Sequence, residues 1–235
     1  TVDINGSAFK SNYNGHTIEN GVVNLTGVAD NENIKQGVFT IGNGATVKST
    51  GEFRPNHDCT FNLKNGGSFS TDVVLCIPFR YGNSSFIMDG GTFTSSATQT
   101  YTGGYSVNIG YVWNNNTVWA DNSAKLIMNN GSVFNVTQGT LCFGRAKEHE
   151  KKVNLKVDVA VTNSSIVVSK GQIILSNNDN AWITDNAKSY VKVVFGPDSH
   201  ITTGQIYADG IYPTPSVIFD GATILMDGSS TVRRI

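Results

Sequence analysis

Residues 61–69 read Phe-Asn-Leu-Lys-Asn-Gly-Gly-Ser-Phe, an alternating apolar run that ends in an Asn-Gly turn and resumes after a serine. The same phrase returns at residues 86–93 (Phe-Ile-Met-Asp-Gly-Gly-Thr-Phe), 126–133 (Leu-Ile-Met-Asn-Asn-Gly-Ser-Val) and 217–224 (Val-Ile-Phe-Asp-Gly-Ala-Thr-Ile), with a looser copy at 193–201. Alternation with a period of two predicts a strand on each side of the turn. Recurrence of this unit along the chain indicates a repeat architecture.

A second short apolar run, which ends in glycine or another strand breaker, recurs at a more regular spacing. Its last apolar residues are Ile41, Ile77, Ile109, Phe143, Leu175 and Tyr207, at steps of 36, 32, 34, 32 and 32. The first phrase has unequal steps when it is anchored at Leu25, Leu63, Met88, Met128, Val159, Phe195 and Phe219, but their mean is also about 32 residues. Both phrases therefore belong to one period of about 32 residues.

A fixed long period indicates that the chain turns a corner at each Asn-Gly and stacks on its previous coil, so that equivalent apolar positions line one interior. The sequence predicts an all-β fold, a single-stranded parallel β-helix of six to seven coils that forms one domain over residues 1–235. Right-handed crossovers dominate between parallel strands, so a right-handed solenoid is expected. We expect residues 1–21 to form an N-terminal cap and residues 231–235 a C-terminal cap or a cut end.

With these turns the chain resembles right-handed parallel β-helices of the pectin-lyase-like type and the β-helical passenger regions of bacterial surface proteins. The resemblance is carried by Gly-Ser/Thr-apolar turns at 67–69, 91–93 and 131–133 and by the related Ala-Thr-Ile at 222–224, and it extends from about residue 22 to the end. It implies a secreted or cell-surface protein of bacterial origin. The family includes polysaccharide lyases, hydrolases, tailspikes and adhesins, so the resemblance does not fix the activity.

The amino-acid composition restricts the classes of partner that the protein is expected to bind. The formal net charge is −1 and charged residues make up 15% of the chain, which gives no electrostatic case for a nucleic acid or an anionic membrane surface. The apolar stretches are too short to span a bilayer. No cofactor is expected, because no carboxylate cluster suits calcium and no Cys–His spacing suits zinc. Cys59, Cys76 and Cys142 are expected to be free thiols, with the last two at equivalent positions two coils apart.

Candidate ligand-binding residues follow the second phrase, where loops on a rigid scaffold commonly carry function. Arg80, Tyr111 and Arg145 occupy similar offsets on three successive coils, which predicts a row along the rod. Arginine grips carboxylates and aromatic rings stack on sugar faces, so a groove for an extended, acidic polysaccharide is expected. Its other predicted ligand-binding residues are Tyr81, Trp113, Asp179, Trp182, Tyr207 and Tyr212. The alternative is that the rings cover the flank of the rod.

The sequence gives weaker evidence for catalysis than for ligand binding. A lyase needs a cation to hold the uronate carboxylate and a base to take the proton, and Arg80, Tyr111, Arg145 and His149 are the candidate set. A glycoside hydrolase needs two carboxylates flanking one bond, but most aspartates lie in turns, where they cap the backbone.

The sequence therefore favours a binding or structural module, an adhesin-like segment of a longer protein, outside the cell or at its surface. The expected partner is a polysaccharide or a cell-surface glycan. One alternative is a polysaccharide lyase or glycoside hydrolase acting on an acidic polysaccharide. Another is a phage tailspike or fibre segment, which would need an apolar stripe along one face, and the alternation shows no obvious one. The oligomeric state stays open.

Overall fold

The computed structural model describes residues 1–5, 11–12, 15–26, 34–35, 37–51, 53, 55, 58–78, 82–98, 105–112, 121–146, 153–178, 188–208 and 215–227. These residues form strands, bridges and turns, and none of them lies in a helix. Accordingly, this part of the chain holds no helix of the length and apolarity needed to cross a membrane.

The described residues form 24 strands. In chain order they are β1 (Val2–Asn5), β2 (Ser11–Asn12), β3 (His16–Glu19), β4 (Val22–Thr26), β5 (Ile34–Lys35), β6 (Val38–Gly42), β7 (Thr46–Ser49), β8 (Thr60–Lys64), β9 (Ser68–Thr71), β10 (Leu75–Ile77), β11 (Asn83–Asp89), β12 (Thr92–Ser95), β13 (Val107–Val112), β14 (Asp121–Asn129), β15 (Val133–Val136), β16 (Leu141–Ala146), β17 (Asn154–Val161), β18 (Ser165–Val168), β19 (Ile173–Asn178), β20 (Tyr190–Phe195), β21 (His200–Thr203), β22 (Ile206–Ala208), β23 (Pro215–Phe219) and β24 (Thr223–Met226).

These strands form three large parallel sheets and one small one. The nine-stranded sheet has the order β1-β4-β7-β9-β12-β15-β18-β21-β24, and the eight-stranded sheet has the order β23-β20-β17-β14-β11-β8-β6-β3. The five-stranded sheet has the order β10-β13-β16-β19-β22, and β2 pairs with β5 alone. From β10 onward the chain passes from the five-stranded sheet to the eight-stranded sheet, then to the nine-stranded sheet, and back. We call each passage of the chain from the eight-stranded sheet to the nine-stranded sheet and back a circuit, including the passages before β10. The all-β, parallel arrangement is consistent with a parallel β-solenoid.

The register of the five-stranded sheet confirms most of the second phrase. Ile77 pairs with Ile109, Ile109 with Phe143, and Phe143 with Leu175, as the 32- and 34-residue steps predict. The next partner of Leu175 is Ala208, whereas the sequence pattern placed Tyr207 there. Since neighbouring residues of a strand point to opposite faces, this one-residue difference places Tyr207 on the outer side of the sheet.

The N-terminal assignment of the repeat was wrong. Val38–Gly42 belongs to the eight-stranded sheet, where Ile41 pairs with Leu63, and Val22–Thr26 belongs to the nine-stranded sheet. Both phrases are short apolar strands that end in a turn residue. The sequence of such a strand therefore does not show to which sheet it belongs. The pairing of Met128 with Val161, two residues beyond the expected Val159, keeps the same face inward and so leaves the alternation unchanged.

The expected six to seven coils are not confirmed, because the two larger sheets hold nine and eight strands. Within residues 1–21, β1 and β3 extend these two sheets in parallel register, pairing with β4 and β6. Residues 231–235 lie outside the described residues.

Phenylalanine rings stack from circuit to circuit in the core. Phe61 and Phe86 are partners on adjacent strands, with ring centroids 4.7 Å apart and planes 10° apart. On the nine-stranded sheet, Phe93 lies 5.8 Å from Phe69 and 4.6 Å from Phe134 between ring centroids. Parallel register places like residues on top of one another, so a phenylalanine in one repeat stabilises the phenylalanine in the next.

The Asn-Gly corners use left-handed backbone geometry, as the sequence indicated. Asn130 and Gly131 have φ of 56° and 76°, and Gly66 has φ of 72°. A Cβ atom makes this conformation sterically unfavourable, so glycine, which has none, adopts it readily, and asparagine tolerates it better than most other residues. The corners are also tied to one another, since Asn130 Nδ2 donates a hydrogen bond to Asp89 Oδ1 of the preceding circuit.

An apolar stripe runs along the outer face of the eight-stranded sheet, contrary to the sequence expectation that there was no obvious one. It consists of outward-facing residues in continuous register on five strands: Ile87, Ile127, Ala160, Val194 and Ile218. Each strand contributes a single apolar residue to this stripe. The sequence alone does not align these residues, so the stripe is recognised only once the strand register is known.

We predict that Gly131→Ala lowers the free energy of unfolding by about 1–2 kcal/mol, the cost of a left-handed conformation for a residue with a Cβ. A Cβ at Gly131 would meet no atom of the described residues within 4 Å, so the loss isolates backbone strain. The matched control is Gly42→Ala, where a Cβ would make an ordinary 3.4 Å contact with Lys64. Urea denaturation of both variants checks this, and equal stability of the two would contradict the turn geometry.

We also predict that Phe86→Ala lowers the free energy of unfolding by about 3–5 kcal/mol, because it opens a cavity in the aromatic stack. Phe219 stacks on Phe195 in the same sheet but is 39% exposed on the last described circuit. Phe219→Ala should therefore cost clearly less. Chemical denaturation of the two variants measures the difference, and a larger loss at Phe219 would argue against this core.

Candidate functional site

The side chains on the outer side of the five-stranded sheet are mostly buried. Its outward-facing residues in register are Cys76, Asn108, Cys142, Ile174 and Tyr207. The first four are at most 1% exposed, and Tyr207 is half-buried. The Tyr207 hydroxyl accepts a hydrogen bond from Gln172 Nε2 at 2.9 Å. This flank of the five-stranded sheet is therefore a second packed layer.

A backbone irregularity creates this layer. Gly110, Gly144 and Ser176 have φ of 85°, 80° and 61° at equivalent places in three strands. The left-handed residue shifts the in–out alternation by one, in the manner of a β-bulge. As a result Val112 packs in the main core, while Tyr111 joins Cys76 on the outer side. A Cβ at Gly110 would collide with Val157, so the glycine that ends the second phrase is required for close packing.

The residues after the irregularity form the arginine–tyrosine cluster, defined as Tyr105, Tyr111, Arg145 and Asn177. Tyr111, Arg145 and Asn177 are partners on β13, β16 and β19. The Arg145 guanidinium carbon lies 4.6 Å from the ring centroid of Tyr105 and 5.8 Å from that of Tyr111. Asn177 Nδ2 donates to Tyr105 Oη at 2.6 Å. Arg145 is 2% exposed, so its cation–π contacts act in a largely desolvated setting, where they are strongest.

The structure brings two of the predicted site residues together and changes their setting. Tyr111 and Arg145 are register partners on neighbouring strands, as the equal offsets predicted. Both are buried, so in this conformation they pack against the sheet and support the flank. A direct role in ligand binding or catalysis stays a prediction for them. Of the other predicted site residues, Arg80, Tyr81, Trp113, His149, Asp179, Trp182 and Tyr212 lie outside the described residues.

Sequence reasoning missed two members of the cluster. Tyr105 precedes its strand and carries no repeat signal, and its hydrogen-bond partner Asn177 is 72 residues away. The repeat does mark the position of Asn177, because it follows Leu175 at the same offset at which Arg145 follows Phe143. An asparagine at that position carries neither the ring nor the charge that indicates a sugar-binding site.

A groove lined by residues with polar side chains lies at the end of three strands of the nine-stranded sheet, in a region where no site was predicted. Its volume is about 160 Å³, and it is lined by Lys48, Ser49, Thr50, Ser70, Thr71, Asp72, Thr94 and Ser96. Lys48, Ser70 and Thr94 are register partners that face outward on β7, β9 and β12. We call this feature the hydroxyl groove.

The side chains of the hydroxyl groove divide into anchored and accessible ones. Ser49 and Thr71 are 3% and 4% exposed, and their hydroxyls donate to the Gly51 and Val73 carbonyl oxygens at 2.8 and 3.2 Å. Ser70 and Thr94 are half-buried, while Lys48, Thr50, Asp72 and Ser96 are exposed. The groove therefore presents hydroxyls at strand spacing, about 4.8 Å, together with one cation and one carboxylate.

The cysteines and one tyrosine are the other titratable groups of note. Cys59, Cys76 and Cys142 are buried, and Cys76 and Cys142 are in register with one strand between them. Burial raises the pKa of the Cys59 thiol to about 12, so it is not a reactive nucleophile at neutral pH. The pKa of Tyr190 is raised, by burial and by the 3.0 Å hydrogen bond that its hydroxyl donates to Asp158.

We also considered metal sites and polar contacts elsewhere in the described residues. Within the described part of the chain, no three His, Cys, Asp or Glu side chains lie close enough to hold a metal ion. Asp58 accepts hydrogen bonds from the backbone and side-chain nitrogens of Asn83 at 3.4 and 3.3 Å, a link between neighbouring circuits.

Comparison of the chain with protein-family models, with curated proteins and with solved structures finds no match.

We predict that Tyr105→Phe lowers the free energy of unfolding by about 1–2 kcal/mol, because the hydrogen bond from Asn177 is lost while the ring stays against Arg145. Tyr105→Leu should cost more, since the cation–π contact is lost as well. Urea denaturation of both variants separates the two contributions. Equal losses would mean that the ring contributes nothing through the guanidinium.

Proposed function

We propose that this chain is a right-handed parallel β-helix of the pectin-lyase-like type that binds carbohydrate, as an adhesin-like module of a secreted or cell-surface bacterial protein. The fold part of the proposal is supported by three parallel sheets that the chain visits in a fixed order, and by the preference for right-handed crossovers between parallel strands. The observation that carries the binding part is the hydroxyl groove.

The chemistry of the hydroxyl groove suits a sugar. Ser70, Thr94 and Ser96 offer hydroxyls that both donate and accept hydrogen bonds, which matches the hydroxyl groups of a pyranose. Asp72 can accept from vicinal sugar hydroxyls, and Lys48 can pair with a uronate or sulfate. Because the lining residues come from three successive circuits, the groove runs along the rod, as an extended polymer requires.

The groove also sits on a rigid frame. Ser68 Oγ donates to Thr46 Oγ1 at 3.1 Å, and the three strands are in parallel register. Side chains held in place by a sheet lose little conformational freedom when a ligand binds. None of the described residues that line the groove is aromatic, so each sugar residue is expected to bind weakly and affinity to come from a polymer that spans several circuits.

A glycan array with neutral and acidic polysaccharides tests this function, followed by titration of any positive glycan. We expect binding to an acidic polysaccharide that weakens about tenfold or more in the double variant Lys48→Ala/Asp72→Asn, since two charge-assisted contacts are lost. The matched control is Lys170→Ala, an exposed lysine on a turn outside the groove.

The result also separates the alternatives. Loss of binding in Trp113→Ala or Trp182→Ala, with the groove variant unchanged, would keep a glycan-binding protein and move its site to the loops predicted from the sequence. Release of unsaturated products, read by absorbance, would replace the binding function with a lyase. An array without any signal would contradict the proposed function.

A further inference from the structure

The apolar stripe of the eight-stranded sheet leaves apolar side chains on the outside of the protein. Ile87, Ile127 and Val194 are half-buried, and Ala160 and Ile218 are exposed, with Ile218 at 46%. Neither the core nor the hydroxyl groove uses this stripe. Contiguous exposed apolar patches commonly mark interaction surfaces.

A file of alternating charge runs beside the stripe. Lys125 pairs with Asp158, and Asp158 with Lys192, so the signs along the rod are positive, negative, positive. The next residue in this file is the uncharged Ser216. Each member lies two residues before a member of the stripe on the same strand and faces the same side, about 7 Å away. The face thus combines an apolar centre with an ordered charge pattern.

We propose that this face binds a second copy of the same chain, in an antiparallel dimer whose twofold axis lies in the interface, parallel to the strands and between β17 and β20. This operation reverses the order of the circuits and keeps the position along each strand. Asp158 then faces Lys192 of the second copy, and Lys192 faces Asp158 in return. Ala160 faces Val194, and Ile127 faces Ile218.

The pattern is self-complementary, which an isologous interface requires. Both charged residues nearest the axis meet an opposite charge, and Lys125 meets the neutral Ser216, so no like charges are opposed in this file. In the apolar stripe every residue on β14, β17, β20 and β23 meets another apolar residue. The formal net charge of −1 adds little repulsion between two copies.

The size of the face sets the expected strength. The four strands that face one another, β14, β17, β20 and β23, at about 4.8 Å spacing and a width of five residues give roughly 300 Å² per copy. A standard stable interface buries about 800 Å² per partner. The dimer should therefore be weak, with a dissociation constant between micromolar and millimolar, and should weaken as salt screens the charge pairs.

Sedimentation equilibrium from micromolar to millimolar protein, at low and high salt, tests the dimer. Lys192→Glu should weaken association at least about tenfold, because it opposes two pairs of like charges. The double variant D158K/K192E exchanges the charges and should restore association to near that of the original chain. The control Lys170→Glu makes the same change of charge on a turn of the nine-stranded side and should leave association unchanged.

A second variant addresses the apolar centre. Ala160→Lys places two cations beside the axis and should abolish association, and because Ala160 is exposed the fold should tolerate it. Melting temperatures of all variants show whether they are folded. A chain that stays monomeric to millimolar concentration overturns the proposal. So does a trimer, a dimer indifferent to Lys192→Glu and Ala160→Lys, or a failure of the charge exchange to restore association in folded protein.

Discussion

Parallel pairing in register between successive circuits is the constraint on which every other feature of this protein depends. It places equivalent residues about 4.8 Å apart, so each inward position becomes a stack and each outward position a file. Phe61 on Phe86 and Asn130 on Asp89 are products of the same geometry, one in the core and one at the corner. The side chain of a residue in these strands therefore packs on its register partner one circuit away.

The same constraint amplifies a small backbone irregularity. A single left-handed residue at Gly110, repeated at Gly144 and Ser176, moves the following side chain from the core to the outer flank on three strands. The Arg145 side chain then packs against the rings of Tyr105 and Tyr111 and is almost completely buried. The flank becomes a packed layer, while outward-facing residues of the other two sheets are accessible among the described residues.

These two sheets present different chemistry because their outward residues differ. The nine-stranded sheet carries hydroxyls, with Lys48 and Asp72 at the edge of a groove, and this composition fits a hydroxyl-rich polymer. The eight-stranded sheet carries aliphatic side chains beside Lys125, Asp158 and Lys192, and this composition fits a protein surface. The two proposals place glycan binding and self-association on separate faces, so one molecule can carry out both at once.

The sequence by itself determined the all-β class, the Asn-Gly corners and the 32- to 34-residue register of the five-stranded sheet, because local alternation and turn chemistry are written residue by residue. It also placed Tyr111 beside Arg145. It failed for Val38–Gly42, whose phrase fits either large sheet, and for Tyr105, whose partner Asn177 is distant in the chain. The burial of Arg145, the hydroxyl groove and the apolar stripe were decided by tertiary structure, because each arises from register between strands that are 22 or more residues apart.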